Sequence, residues 1–312
     1  MKLLSNCPFC ESTNHQFCYP QSDYFYAVPG AFDVVKCCDC GLFFINPQPE
    51  SKDLAPHYPV NYYSYNPEED HLAAREEKLY SVFYGTESKW LKRLLYLPIR
   101  FHVRTVSGGP GTRLLDIGCG AGNFLATIKK TLQFDVYGVE PWSEDSSFAA
   151  RHGLTVFHGR LEQASYPDEF FDIVTMNQVL EHVSAPKAIL REIRRVLRPQ
   201  GTLVLGVPNG DALLRRVCGK RWAALDVPRH LFIPTVENLR LLCEENGFTF
   251  EHVRYDGGPD IILRTLLLMM GVKHQETVPL SRLSRVACLP LVYLLNSLHL
   301  ADTFEMTLRR SV

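Results

Sequence analysis

The stretch RLLDIGCGAGNFLATI, Arg113 to Ile128, constrains the chain more than any other. An apolar run ends in Asp116. Gly118, Gly120 and Gly122 then fall at every second position, and a helix-period pattern starts at once. A strand that turns into a helix through glycines brings a ligand against bare backbone. A dinucleotide fold asks for G-x-G-x-x-G, whereas the spacing here is G-x-G-x-G. A P-loop asks for G-K-[ST], which this turn lacks.

From Arg113 onward, apolar runs alternate with helical patterns, as they do in a parallel α/β fold. RLLDIG, VYGVE, LTVF, FDIVTM and TLVLGV read as successive strands, and NFLATIKKTL and KAILREIRRVL as helices between them. Ser184 is placed to cap the second of these helices, with Pro186 in its first turn and Pro199 and Gly201 ending it. VENLRLLCEENGF reads as a further helix ended by Gly247, followed by TFEHVRYD as a strand and ADTFEMTLRR as the last one. These patterns divide the chain into a Cys-rich module over residues 1–50, an aromatic and helical connector over 51–107 and a core over 108–257. An apolar helical insertion over 258–301 and a final strand of the core sheet in 302–312 complete it.

Glu140 ends the second strand of the core and is placed to accept both hydroxyls of a ribose. The free N–H groups of the helix opening near Gly122 suit a carboxylate. A ligand with a ribose, a carboxylate and no phosphate matches S-adenosylmethionine. With that ligand in view, DIGCGAGNF, VYGVEPW, FDIVTMNQVLEHV and AILREIRRVLRPQGTLVLGVPN resemble blocks of the class I S-adenosylmethionine-dependent methyltransferases. The resemblance covers about residues 108–257. It implies an α/β fold with a Rossmann-like seven-stranded sheet and helices on both faces. It also implies that Asp116, Gly118, Cys119 and Gly120 meet the methionine end of the cofactor. Glu140, with Pro141 after it, would hold the ribose. Arg160 and Leu161 stand where the family touches adenine, although Arg160 cannot supply the carboxylate many relatives place there. Met176 and Asn177 would line the methyl donor.

Ten cysteines are present, and six of them lie in the first forty residues. Cys7-Pro-Phe-Cys10 and Cys37-Cys38-Asp39-Cys40 form two C-x-x-C knuckles, the spacing of a closed structural Zn²⁺ site, with Cys18 and Cys38 as spares. The N-terminus carries no secretory pattern, and cysteines used this way point to a reducing, cytoplasmic setting. This zinc-ribbon-like module, running into the strand-like GLFFINPQPE and then YYSY, resembles the leader of sugar C-methyltransferases and related enzymes of polysaccharide and antibiotic clusters. That resemblance implies that the leader helps cover the acceptor. Tyr62, Tyr63 and Tyr65 would then stack on an acceptor ring or form a packing interface.

VLEHV places Glu181 and His182 after the fourth strand, and DVPRHLF places Arg229 and His230 after the fifth. Strand ends of α/β sheets gather ligand-binding groups, and histidine is the natural base near neutral pH. The expected reaction is O-methylation of a small-molecule acceptor, a sugar, glycan, or polyketide or quinone precursor, with a histidine base. Sugar C-methylation stays open, as does a non-catalytic scaffold. Small-RNA 2′-O-methyltransferases and some quinone O-methyltransferases hold a divalent metal with acidic residues and histidines. Glu181, His182 and His230 match part of that set, with Gln178 in place of one carboxylate.

A formal net charge of −1 gives no bulk attraction to nucleic acid, so a nucleic-acid partner and an RNA substrate are disfavoured. The basic runs Arg191–Arg198 and Arg215–Arg221 read as solvated helix faces. No window suits a membrane span. The insertion IILRTLLLMMGV to RVACLPLVYLLNSLHL reads as a lid, an oligomer interface or a peripheral membrane contact.

Overall fold

The computed structural model describes residues 1–58, 70–84, 103–141, 147–272 and 278–312. Strands β1 (His15–Gln21), β2 (Phe32–Cys37) and β3 (Phe43–Ile45) form an antiparallel meander in the cysteine-rich leader. Its fourth strand, β9 (Phe232–Ile233), comes from the far side of the sequence, pairing Phe43 with Ile233 and Phe44 with Phe232. A leader this small has little apolar surface of its own to bury. Phe9, Leu42 and Phe44 are accordingly buried in one cluster with Phe232 and the core strands. The strand-like run at GLFFIN supplies β3, whereas β1, β2 and the two-residue β9 are absent from the sequence expectation. A one-turn helix α1 (Ser51–Leu54) ends this layer.

Helix α2 (Asp70–Tyr84) lies in the connector expected over 51–107, whose helical stretch reads from Ala73 to Leu97 in the sequence. The remainder of that stretch, and Tyr62, Tyr63 and Tyr65, lie outside the described residues. Strand β4 (Arg113–Ile117) follows, then α3 (Asn123–Leu132), β5 (Asp135–Glu140), α4 (Ser147–Arg151) and β6 (Thr155–His158). Next come β7 (Phe171–Asn177), α5 (Pro186–Val196), β8 (Leu197–Pro208) and the short α6 (Leu213–Cys218). After β9 the chain forms α7 (Val236–Glu245), β10 (Phe248–Tyr255), α8 (Pro259–Met269), α9 (Arg282–Ser297) and β11 (Thr303–Arg310).

The seven-stranded sheet has the order β10-β11-β8-β7-β4-β5-β6. Strands β4 to β8 are parallel, and β11 is antiparallel between β8 and β10. The order in which strands are added reverses between the parallel β4 and β7, the crevice where open α/β sheets bind ligands. Alternation along the strands sends side chains to two faces. Leu114 and Ile173 face a cluster with Phe124, Leu125 and Ile128 of α3, while Leu115 and Val174 face one with Ile189, Leu190 and Ile193 of α5.

Two local expectations are corrected. Ser184 does not cap α5. The N-cap is Ala185, with no side-chain hydrogen bond, and Pro186 opens the helix where its missing N–H costs nothing. Pro199 and Gly201 are not a stop before the strand, because β8 already begins at Leu197 and runs through both. The register slips between Phe171 and Ile173, and Gln200 takes a left-handed φ of 61°, which absorbs the extra residues as a bulge.

Candidate active site and cysteine centre

Asp116 closes β4 as a buried carboxylate. Its Oδ1 accepts hydrogen bonds from Arg104 Nη1 at 2.8 Å and Thr175 Oγ1 at 2.6 Å. Its Oδ2 is buried with no protein partner among the described residues. An orphaned buried carboxylate oxygen at the mouth of a glycine turn calls for a donor from a ligand. Gly118 has φ +71°, and a Cβ there would run into the side chain of Val179. That contact sets the turn against the loop after β7. The N–H of Gly120 donates to Glu140 Oε2 at 2.9 Å, which fixes the buried carboxylate at the end of β5. Helix α3 starts at Gly122 with no side-chain cap, so its first N–H groups stay available to an anion. Bare backbone, an orphaned acceptor and a pinned second carboxylate fit S-adenosylmethionine.

The other expected cofactor residues are spread around this turn. Met176 is buried and Asn177 ends β7 opposite Gly206, where a Cβ would strike the Asn177 amide. Leu161 is buried in the short turn after β6, whereas Arg160 and Pro141 are exposed and Cys119 is buried behind the glycines. The sequence reading missed Arg104. Its guanidinium bonds Asp116 and lies 4.0 Å from the centre of the Phe124 ring. It sits just before VSGGPG, a position no motif marks.

Glu181, His182 and His230 converge, with their ligand atoms within 4.8 Å of one another. The N–H of Leu231 donates to the Glu181 carbonyl at 2.7 Å and clamps the two loops together. A carbonyl can only accept, so His230 donates from Nδ1 to Ala224 O and His182 from Nδ1 to Arg229 O, both at 2.9 Å. Each ring therefore keeps an unprotonated Nε2. His230 Nε2 lies 3.8 Å from Glu181 Oε1 and 3.9 Å from Asp226 Oδ2. Both Glu181 oxygens are buried and make no hydrogen bond among the described residues. Burial raises the Glu181 carboxyl to about 8 and lowers both histidines, with His230 adding to the shift at His182. A carboxyl held that high destabilises the fold increasingly as pH rises from about 4.3 towards 8. A group kept on those terms has the signature of a functional residue.

A second buried network supports this one. Arg229 is fully buried and reaches Asp23 through Nη1 at 2.7 Å and Nη2 at 3.1 Å, and Asp226 through Nε at 3.0 Å. His57 Nδ1 completes the set, 2.8 Å from Asp23 Oδ2. The next residue, Tyr58, brings its hydroxyl to 3.0 Å from His182 Nδ1. Burial alone would raise the Asp23 carboxyl, but hydrogen bonds from His57 and Arg229 outweigh it and lower it to about 2. Its contribution to stability is thus complete above about 3.9 and is lost as pH falls through about 2. Arg229→Met leaves two carboxylates facing each other, one of them fully buried, and is expected to destabilise the chain by about 3–5 kcal/mol. Denaturant melts of Arg229→Met and of Asp23→Asn/Arg229→Met test this, because the double variant recovers part of the loss.

In the leader, Cys7, Cys10, Cys37 and Cys40 place their sulfurs within 4.8 Å of one another. The Cys7–Cys40 and Cys10–Cys37 pairs are each 3.6 Å apart. A tetrahedral ion with metal–sulfur bonds of about 2.3 Å separates its sulfurs by about 3.8 Å, so the donor set fits Zn²⁺. The knuckle turns are formed by Glu11 N–H donating to Cys7 O and Gly41 N–H to Cys37 O, both at 3.0 Å. Cys18 and Cys38 stand outside the cluster.

Comparison with known proteins places these sites in context. A family model described as a methyltransferase domain matches residues 87–253, more than half of the chain. A ubiquinone biosynthesis O-methyltransferase of Haemophilus ducreyi is 31% identical over 125 residues, covering 36% of this chain and 52% of that protein. A 37.1 kDa protein of a Streptomyces fradiae transposon is 36% identical over 111 residues, 33% of this chain and 32% of that one. The chain thus spans about a third to about half the length of these curated relatives. A solved S-adenosylmethionine-dependent methyltransferase of Archaeoglobus fulgidus is 17% identical with a TM-score of 0.44, covering 77% of this chain and 100% of that one.

Proposed function

The chain belongs to the methyltransferase-domain family, and on that premise we propose that it methylates a hydroxyl oxygen of a small-molecule acceptor with S-adenosylmethionine as donor. The observation that carries this reading is the convergence of Glu181, His182 and His230 on loops clamped beside the glycine turn. Asp116, Gly118 and Gly120 would hold the methionine end, Glu140 the ribose and Leu161 the adenine. Arg104, beside Asp116, would meet the methionine carboxylate. The bound cofactor supplies a methyl group already activated on a sulfonium, so positioning does much of the work.

A hydroxyl oxygen becomes a good nucleophile as it loses its proton. His230 Nε2 takes that proton, and the imidazolium that forms faces Asp226, whose carboxyl Arg229 keeps ionised against the effect of burial. The 31% identical relative is named for ubiquinone biosynthesis, which favours a quinone precursor over the sugars, glycans and polyketides. Incubation with methyl-labelled S-adenosylmethionine and a panel of phenols and sugars tests the reading. Label on oxygen supports it, and label only on carbon or only on RNA overturns it. Glu140→Ala is expected to raise the dissociation constant for S-adenosylmethionine roughly 10- to 100-fold in calorimetry.

A second reading is favoured by the Glu181 carboxyl, both of whose oxygens are buried without a partner among the described residues, within 4.8 Å of a ring nitrogen of His182 and of His230. In it the same three residues would hold a divalent cation, which would supply Lewis-acid polarisation of the acceptor hydroxyl. Turnover that a chelator abolishes while the leader keeps its zinc, and that added Mg²⁺ or Mn²⁺ restores, selects this version. Turnover indifferent to chelator selects the histidine base. The four-cysteine centre is proposed to hold one structural Zn²⁺ in either case.

A further inference from the structure

Helices α8 and α9 bury one face each, with Ile262, Thr265 and Leu268 inward on the first and Val292 and Leu295 on the second. The outward face of α9 is apolar as well. Leu283, Val286, Leu291, Leu294 and Leu298 recur at helical spacing and are 79%, 53%, 41%, 54% and 56% exposed. On α8, Leu266, Met269 and Met270 are also exposed. Single exposed apolar residues are ordinary, but a continuous stripe on one helix face marks an interaction surface.

The charges that border the stripe without a partner, among the described residues, are cations. Helix α6 and the turn Gly219–Arg221 pack on α8, and Leu213 N–H of α6 donates to Leu300 O just beyond α9. That places exposed Val217, Lys220 and Arg221 beside the two helices. Residues 212–225 and 278–300 contain no acidic residue. The flanking acids Asp211 and Asp260 are already paired, with Arg216 at 3.1 Å and Arg285 at 2.7 Å. Lys220, Arg221 and Arg282 are exposed and have no ion-pair partner among the described residues.

We propose that this face binds an anionic lipid bilayer in its plane, with the α9 stripe at the acyl boundary and Lys220, Arg221 and Arg282 on lipid phosphates. No described helix is long and apolar enough to cross a membrane, so the helices lie on the surface. A second copy fits less well, because a two-fold axis sets a patch against itself and would oppose its own cations. The surface is independent of the acceptor chemistry.

The test is co-sedimentation of the full chain with phosphatidylcholine vesicles, with and without phosphatidylglycerol. Binding is expected only to the anionic vesicles and falls as salt rises. Lys220→Ala/Arg221→Ala/Arg282→Ala is expected to lower partitioning roughly a hundredfold. Leu283→Ser/Leu294→Ser is expected to abolish it, both with an unchanged melting temperature. Protein that stays in the supernatant with both vesicles overturns the proposal. So do variants that bind like the parent, or a dimer in sedimentation velocity that Leu283→Ser/Leu294→Ser dissociates.

Discussion

His230→Ala is expected to lower kcat by roughly 10²- to 10⁴-fold, the usual contribution of a positioned base, while calorimetry finds affinity for S-adenosylmethionine within about threefold of the parent. The separation follows from the fold. His230 stands on the loop before β9, tied to Ala224 and facing Glu181 and Asp226, whereas the cradle proposed for the cofactor is built from the ends of β4 and β5. His230→Gln keeps a side chain that can donate to Ala224 O but has no basic lone pair, so it is expected to behave like His230→Ala. Burial lowers the His230 pKa below its ordinary value near 6.5. A base works only when deprotonated, so turnover is expected to hold through neutral pH and to fall as pH drops through that lowered value. Equal losses in turnover and cofactor affinity would make His230 a structural residue. Retention of turnover by His230→Gln would remove it from the chemistry.

Much of the core was legible because burial leaves a periodic trace. β4, β5 and β7 read as apolar runs since helices cover both their faces, and the apolar positions of α5 recur three and four apart. The turn DIGCGAG and the knuckles of the leader were legible because their spacing is local. What escaped is what forms at long range. Asp23 meets Arg229 across 206 positions, and neither residue lies in a pattern that announces the pair. Strand β9 is two residues long and exists because β3 offers it an edge. The Ser184 cap failed for a related reason. Propensity names serine a good cap, but α5 starts on Pro186 with Ala185 before it, and its apolar face anchors it without a cap. Glu181, His182 and His230 were legible as types suited to chemistry. That both Nδ1 atoms are tied to carbonyls, with His230 Nε2 left 3.8 Å from Glu181 Oε1, was not.

Loss of the Zn²⁺ proposed for the leader is expected to have the largest effect on stability and to reach the chemistry without touching it. Four thiolates around one ion supply on the order of 10–16 kcal/mol of apparent binding free energy in small zinc modules. The leader's short strands have no comparable source, since their apolar residues are buried chiefly by the core. Cys37 is fully buried, and elemental analysis is expected to find one zinc in the parent and none in Cys37→Ser. Its thermal unfolding is expected to lose cooperativity in the leader. The same strands and the segment after them carry Asp23, His57 and Tyr58 to Arg229 and His182. Turnover should therefore collapse with the leader, while the dissociation constant for S-adenosylmethionine changes little, because α3 and one face of β4 and β5 pack with α2 in a cluster that no leader residue enters. Asp23→Asn is the control. It keeps the zinc and breaks only the bridge to Arg229, so its turnover should fall part of the way. Zinc-free protein with the parent's melting temperature and turnover would show that the leader folds without its ion. A parallel loss of cofactor binding would show that the leader supports the whole core and not the acceptor side alone.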